Sequence, residues 1–186
     1  MQVTDELMNE HQLILKYIDL MGKYIEVSKT NRGENILMEK AQDFISFFQE
    51  FTDTYHHAKE EDALFKYLQA PDVLSDCNLL PVMLSDHDKG RMHVRNMNSG
   101  LVNNNLETLC KNAYAYSQHL KQHIFKEDNV LFPMAENEIS DEDKITLKNE
   151  YKQIEEKLDK RAIWNKYEEK YSELENCLNN KILVTE

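Results

Sequence analysis

Apolar residues recur every three or four positions over nearly the whole chain, and few helix-breaking residues interrupt them. This spacing places the apolar side chains on one face of an α-helix. Only 4 glycines and 3 prolines occur among the 186 residues, which argues against an architecture of strands and tight turns. The segments of loop-like composition are 31–33, 71–81, 98–100 and 133–140. They divide the chain into four helical segments and a fifth that begins at Ser140.

Short connections between successive helices favour antiparallel neighbours. The sequence therefore predicts an all-α fold, with an up-down-up-down four-helix bundle over residues 1–138. Residues 139–186 are predicted to form an additional C-terminal helix, capped by Ser140, that packs on the bundle or extends from it. An extending helix would bind a protein partner or form a dimer.

The charge of the chain limits its partners. It has 22 basic and 34 acidic residues and a formal net charge of -12, which repels phosphate backbones and anionic lipid. Nucleic acid and membranes are therefore not expected partners, and apolar runs of about six residues are too short to cross a bilayer. The N-terminal residues do not read as a signal peptide. The three cysteines form no C-x-x-C motif and are predicted to be free thiols in a reducing compartment, the cytoplasm.

Six ionisable side chains fall on the inward-facing stripes of four different helical segments. They are His11, His56, Glu60, His87, His123 and Glu127. Polar groups in a core are costly unless they are satisfied. Two of the histidines each precede a glutamate by four residues, which places both side chains on one helix face. Imidazoles and carboxylates that converge from facing helices are typical of metal sites in bundles, and a set without thiolates suits iron, manganese or zinc.

The two histidine–glutamate pairs lie in similar stretches of sequence. Residues 56–65 align with residues 123–132 on a shared Leu-Phe ending, so each histidine and each glutamate matches its counterpart. This duplication suggests two metal ions, with the carboxylates able to bridge between them.

Two further histidines are candidates. In an α-helix His57 lies about 100° around the axis from His56, so it is either a ligand to an ion between helices or a neighbour of one. His119 precedes His123 by one turn and is a ligand, a hydrogen-bonding neighbour or a surface residue.

Four motifs carry a family resemblance. They are Glu10-His11, the stretch 56–65, the stretch 85–91 and the stretch 123–133. On these motifs the chain resembles the hemerythrin-like, or HHE cation-binding, proteins of bacterial type over about residues 5–137. The resemblance implies a four-helix bundle with a non-haem di-iron centre, five histidines, two bridging carboxylates and an oxo or hydroxo bridge. The ligands that it implies are His11, His56, His57, Glu60, His87, His123 and Glu127, with His57 preferred to His119 as the fifth histidine.

The resemblance also implies a function, the binding of dioxygen or a related diatomic ligand such as nitric oxide. Oxygen-carrying hemerythrins have a second histidine one turn after the ligand of the third helix and end with an aspartate. This chain has Arg91 and Glu127 at those positions, which argues against simple oxygen storage. Two other functions stay open: a di-iron oxidoreductase that acts on nitric oxide or peroxide, and an iron- or oxygen-responsive interaction module. The site is expected to admit only small ligands, past the side chains of Ile14, Phe48, Leu84 and Leu120.

Overall fold

The computed structural model of the chain describes residues 2–30, 36–69 and 79–184. The first bundle helix is α1 (Asp5–Lys29). The second is a continuous rod of α2 (Ile36–Phe47), the π-helical segments Phe48–His57 and Glu60–Leu64, and α3 (Phe65–Leu68). The third is α4 (Leu80–Val102), and the fourth combines α5 (Leu106–Lys126), the π-helical segment Glu127–Leu131 and α6 (Phe132–Glu138). Two more helices follow, α7 (Asp141–Lys157) and α8 (Lys160–Val184).

The four bundle helices form a closed ring, and each packs against its two neighbours in that ring. Helix α1 contacts the second and fourth bundle helices, and α4 contacts the same two from the opposite side. This arrangement confirms the predicted all-α bundle. The predicted loop at 31–33, most of the one at 71–81, and Cys77 lie outside the described residues. Within the described ranges no helix combines the length and the apolar character needed to cross a bilayer.

The predicted loop at 98–100 is wrong, because these residues belong to α4. A side chain at Gly100 would place its Cβ 2.7 Å from the backbone nitrogen of Leu109 in α5. The glycine therefore permits the close approach of two helices and does not end one. The chain turns instead at Asn104, whose φ is 49°.

The predicted loop at 133–140 is also mostly helical. Pro133 has no N–H to donate, and it lies directly after the π-helical segment Glu127–Leu131, where the hydrogen-bonding pattern of the helix changes. The helix ends just before Ser140, whose hydroxyl accepts a hydrogen bond from the backbone nitrogen of Asp143. This contact confirms the predicted cap of α7.

The C-terminal addition consists of two helices where the sequence predicts one. The break falls at Asp159, which has a φ of 50° and accepts a hydrogen bond from the backbone nitrogen of Ala162. Aspartate adopts this left-handed conformation more readily than most residues, so the break needs no glycine or proline. Helix α7 packs on the segment Glu60–Leu64, and α8 packs on α1 and α2.

A polar layer divides the apolar core into two clusters. On α1, Leu7 belongs to one cluster and Ile14 to the other, and His11 lies between them. The other three bundle helices repeat this order, with buried histidines or glutamates between the two clusters. The layer therefore crosses the whole bundle and is enclosed by apolar side chains on both sides.

Candidate metal centre

The π-helical segments determine which side chains reach the polar layer. Two of them begin at the glutamates of the duplicated pairs, in Glu60–Leu64 and Glu127–Leu131. The third, Phe48–His57, ends at adjacent histidines that are both buried, His56 with 1% and His57 with 5% of its surface exposed. A π-turn holds more residues than an α-turn, so it shifts the inward-facing positions along the chain. Such segments are rare and occur frequently at functional sites.

Two histidines form one half of the layer, which we call the two-histidine half. The Nε2 atoms of His11 and His56 are 3.0 Å apart. His11 Nε2 lies 3.4 Å from Oε2 of Glu127, and His56 Nε2 lies 3.6 Å from Oε1 of Glu60. These four side chains are all buried and bring one ligand atom each within 4.8 Å of the others.

Three histidines, His57, His87 and His123, form the other half, the three-histidine half. The Nε2 atoms of His87 and His123 are 3.1 Å apart. His87 Nε2 lies 3.4 Å from Oε2 of Glu60, and His123 Nε2 lies 3.1 Å from Oε1 of Glu127. The ring of His57 stacks on that of His87, with 3.8 Å between the ring centroids.

The two glutamates connect the halves. Glu60 presents Oε1 to the two-histidine half and Oε2 to the three-histidine half. Glu127 does the same with its oxygens exchanged. Each carboxylate is therefore placed to bridge two cations.

Carboxylates outside the layer hold four of the five histidine rings. The Nδ1 contacts are His11 to Asp128 at 2.7 Å, His56 to Glu10 at 2.8 Å, His57 to Asp53 at 3.2 Å and His87 to Glu61 at 2.6 Å. A carboxylate accepts hydrogen bonds, so each Nδ1–H donates and each Nε2 is directed to the centre. Such outer carboxylates fix the ring of a metal-binding histidine and raise its basicity. The fifth ring, His123, has Asp86 near its Nδ1 at 3.8 Å, beyond hydrogen-bonding distance.

Several ligand atoms of the layer lack a hydrogen-bond partner among the described residues. They are His57 Nε2 and both carboxylate oxygens of Glu60 and of Glu127. Leaving a buried polar group without a partner costs about 1–3 kcal/mol, and more for a charged group. Cations placed between the imidazoles and the carboxylates would satisfy these atoms. The residues therefore fit a metal site, and an oxygen and imidazole donor set suits iron, manganese or zinc.

The electrostatics of the layer also favour cations. Burial, and repulsion from Glu127, raise the pKa of Glu60 well above its ordinary value. Burial opposes ionisation of Glu127 too, but His123 and His11 outweigh it and hold the pKa of Glu127 well below its ordinary value. The two buried carboxyls thus oppose each other's ionisation, and added positive charge between them would favour both as carboxylates.

Protonated histidines supply part of that charge in the metal-free chain. Burial lowers the pKa of His11, but the hydrogen bond to Asp128 and the nearby carboxylate of Glu127 raise it to about 9. Burial likewise opposes the charge on His123, and Glu127 and Asp86 raise its pKa to about 10. Each half therefore contains a histidine, His11 or His123, whose protonated form is favoured in the metal-free chain, and a metal ion that binds there must displace that proton.

A third group of acidic residues, Glu6, Glu10 and Glu155, lies close enough together to hold an ion. Amino groups already lie among its carboxylates. Lys59 contacts Glu10 and Glu155, and Lys160 contacts Glu6 and Glu155. The positive charge that this group needs is therefore provided by lysines.

A cavity of about 190 Å³ borders the three-histidine half. Its lining includes all three histidines of that half, Phe48, Gly90, Tyr116 and Leu120, and its polar side chains include Arg91 and Arg95. Phe48 and Leu120 thus line the space as expected. Ile14 and Leu84 do not line it, because they pack in the two apolar clusters.

The structure brings all seven predicted ligands into the layer and leaves His119 outside it. The Nε2 of His119 donates to the backbone carbonyl of Asp86 at 2.8 Å. Arg91, which stands where oxygen-carrying hemerythrins have a histidine, binds the outer carboxylates. It donates to Asp53 at 2.8 Å and to Glu61 at 2.6 Å, the partners of His57 and His87.

Sequence reasoning missed the outer carboxylates. Four of them are next to a predicted ligand in the chain: Glu10, Glu61, Asp86 and Asp128. The signal that could have found them is this adjacency of an acidic residue to a predicted ligand. In a chain with 34 acidic residues, however, the same adjacency occurs by chance.

Four helices that meet around buried imidazoles and two carboxylates shared between them define a metal-binding helical-bundle protein. The chain belongs to the hemerythrin family: the profile of the hemerythrin HHE cation binding domain matches residues 2–135. This match confirms the predicted family and identifies a cation-binding domain. It ends before α7, so the two C-terminal helices lie beyond it. No curated protein and no solved structure gives a significant match.

Proposed function

We propose that the polar layer holds two iron ions and that the centre binds a diatomic ligand, dioxygen or nitric oxide. The observation that carries this proposal is the position of two buried carboxylates, Glu60 and Glu127, each with one oxygen toward each half. A single ion would leave one half without a cation. The absence of thiolates from the donor set supports iron over a structural zinc site.

In this proposal His11 and His56 hold one ion, and His57, His87 and His123 hold the other. Two irons in such a site supply Lewis acidity and one-electron redox chemistry toward a small ligand. The chain supplies the rest. Outer carboxylates fix the imidazoles, and the apolar clusters on both sides of the layer exclude bulk water.

Two observations favour different halves as the place where the diatomic ligand binds: the number of protein nitrogen donors and the position of the cavity. The two-histidine half offers fewer nitrogen donors, whereas the cavity touches only the histidines of the other half. We propose that the ligand enters through the cavity and binds at the three-histidine half, because an open coordination position can be filled only if the ligand can reach it.

Azide and nitric oxide are expected to change the visible spectrum of the iron-loaded protein, because each binds directly to an iron that its protein ligands do not saturate. The measurement is a spectroscopic titration of protein that contains two irons per chain. The same titration of His57→Ala distinguishes the halves, since loss of this ligand would strengthen azide binding only at the three-histidine half. A spectrum unchanged by saturating azide and nitric oxide would rule out the open position.

Filling the cavity is expected to slow ligand binding without removing the metal. A Cβ at Gly90 would lie 3.5 Å from a ring carbon of Tyr116, an ordinary contact, so Gly90→Ala fits and improves helix propensity. The longer side chain of Gly90→Leu would enter the cavity that Gly90 lines. Stopped-flow measurement should show azide binding at least about 10-fold slower in Gly90→Leu, with Gly90→Ala close to the parent. Equal rates in the three proteins, at equal iron content, would exclude the cavity as the route.

The size of the cavity favours a second candidate function. A volume of about 190 Å³ far exceeds the ~10–15 Å³ that one water molecule requires. A substrate such as peroxide would therefore fit, and the centre could act as an oxidoreductase on peroxide or nitric oxide. Sustained consumption of peroxide by the iron-loaded protein would support this alternative, and a ligand adduct stable for hours would support the binding function.

A further inference from the structure

Glu155 on α7 lies beyond the residues that match the family profile, yet its side chain reaches the support of the metal centre. It is 6% exposed. Its Oε1 accepts hydrogen bonds from Lys59 Nζ at 3.2 Å, Lys160 Nζ at 3.1 Å and the hydroxyl of Tyr55 at 3.4 Å. The C-terminal addition thus contributes a buried charge to the interior of the bundle.

A continuous series of charged hydrogen bonds runs from this carboxylate to the polar layer. Lys59 is fully buried and also donates to Oε1 of Glu10. The other oxygen of Glu10 accepts from Nδ1 of His56 at 2.8 Å. The Nε2 of His56 faces the two-histidine half.

Helix α8 also contacts this series of side chains, through Trp164 and Tyr55. Trp164 lies 3.3 Å from the hydroxyl of Tyr55 through its Nε1, and Lys59 Nζ lies 4.1 Å from the centre of the Tyr55 ring. Lys59 is therefore enclosed by carboxylates and an aromatic face, and both C-terminal helices contribute to that enclosure.

The charges in this series determine how Glu10 acts on His56. A carboxylate that accepts from Nδ1–H makes the imidazole a stronger donor to a metal. Lys59 weakens that effect, because its positive charge offsets the negative charge of Glu10. Glu155 also pairs with Lys59 and reduces this offset. Loss of the charge at Glu155 therefore lets Lys59 interact with Glu10 alone and makes the surroundings of His56 more positive.

We propose that Glu155 is a positioning residue for the metal centre: through Lys59 and Glu10 it fixes the ring of His56 and sets the affinity and reduction potential of the two-histidine half. This inference rests on the proposed function for its metal readouts. Residues 139–186 are then a functional part of the centre and more than a covering of the bundle.

The test compares Glu155→Gln with Glu156→Gln, the same change of charge at the exposed neighbouring position on α7. In Glu155→Gln we expect the dissociation constant of the iron in the two-histidine half to rise about 3- to 10-fold, less than the ~10–100-fold typical when a carboxylate that directly holds a metal ligand is changed. The reduction potential should rise, because the lost negative charge had favoured the oxidised ions. Glu155→Asp, which keeps the charge, should return both quantities toward those of the parent.

A readout in the metal-free protein separates this inference from the proposed function. The proton–nitrogen NMR correlation of His56 Nδ1–H should shift in Glu155→Gln and stay unchanged in Glu156→Gln. If the chain binds no iron but this signal shifts, the proposed function fails and the positioning role stands. If Glu155→Gln matches Glu156→Gln in the His56 signal, iron affinity and potential, the inference is overturned, even where thermal stability falls.

Discussion

Replacing Glu60 or Glu127 with alanine is expected to remove both metal ions at once. Each carboxylate faces both halves, so one substitution takes a ligand from each position. Iron content should fall from about two ions per chain to well below one, because neither half of a two-metal site keeps its bridging oxygen. Metal analysis after anaerobic loading and desalting measures this directly.

Two sets of variants show whether that loss is specific. Asp62→Ala, at an exposed position of the helix that carries Glu60, should keep the full iron content. Single histidine variants should affect mainly their own half. His56→Ala should lose more metal than His57→Ala, because His56 belongs to the half with only two histidines. Retention of both ions by Glu60→Ala and Glu127→Ala would show that the carboxylates do not bridge.

The metal-free protein is expected to become more stable when Glu60 is changed to glutamine. Glu60 is completely buried, and neither of its oxygens has a partner among the described residues. Because its pKa in the folded chain is raised well above the ordinary 4.5, folding is penalised increasingly as pH rises above that value. Glu60→Gln removes the penalty. The free energy of unfolding at pH 7.5 should rise by about 1–3 kcal/mol, with little change near pH 4.

The neighbouring residue provides a control of opposite sign. Although burial opposes it, hydrogen bonds from His87 and Arg91 lower the pKa of Glu61. A lowered carboxyl pKa contributes stability that is present above pH 4.5 and lost on acidification below it. Glu61→Gln should therefore destabilise the chain at pH 7.5. Denaturant unfolding of chelator-treated proteins measures both changes, and a less stable Glu60→Gln protein at pH 7.5 would contradict the account.

The parts of this fold that follow from helical periodicity could be predicted from the sequence. Polar residues at core positions are rare, so His11, His87 and His123 were recognisable by their place in apolar stripes. The duplicated spacing of histidine and glutamate likewise identified the shared carboxylates.

Other features depend on local geometry that periodicity does not encode. A regular α-helix would separate His57 from His56 by about 100° around the axis. In the structure both are buried at the end of the π-helical segment Phe48–His57, and the sequence pattern does not predict that segment. Asp159 ends a helix through a left-handed conformation that leaves no composition signal.

The role of the C-terminal helices was open because it depends on contacts between distant parts of the chain. Tyr167, Leu174 and Leu178 of α8 are buried in the larger apolar cluster. A protein partner of this helix would therefore bind its outer face. The contact between Glu155 and Lys59 joins residues 96 positions apart, and no local sequence pattern predicts it.

The central claim is that one chain binds two irons in the polar layer, and the most direct measurement is metal analysis with a visible spectrum of protein purified without oxygen. The account predicts about two irons per chain and a nearly colourless protein whose visible absorption develops on exposure to air. One metal ion or fewer per chain, with no change of the spectrum in air, would contradict it.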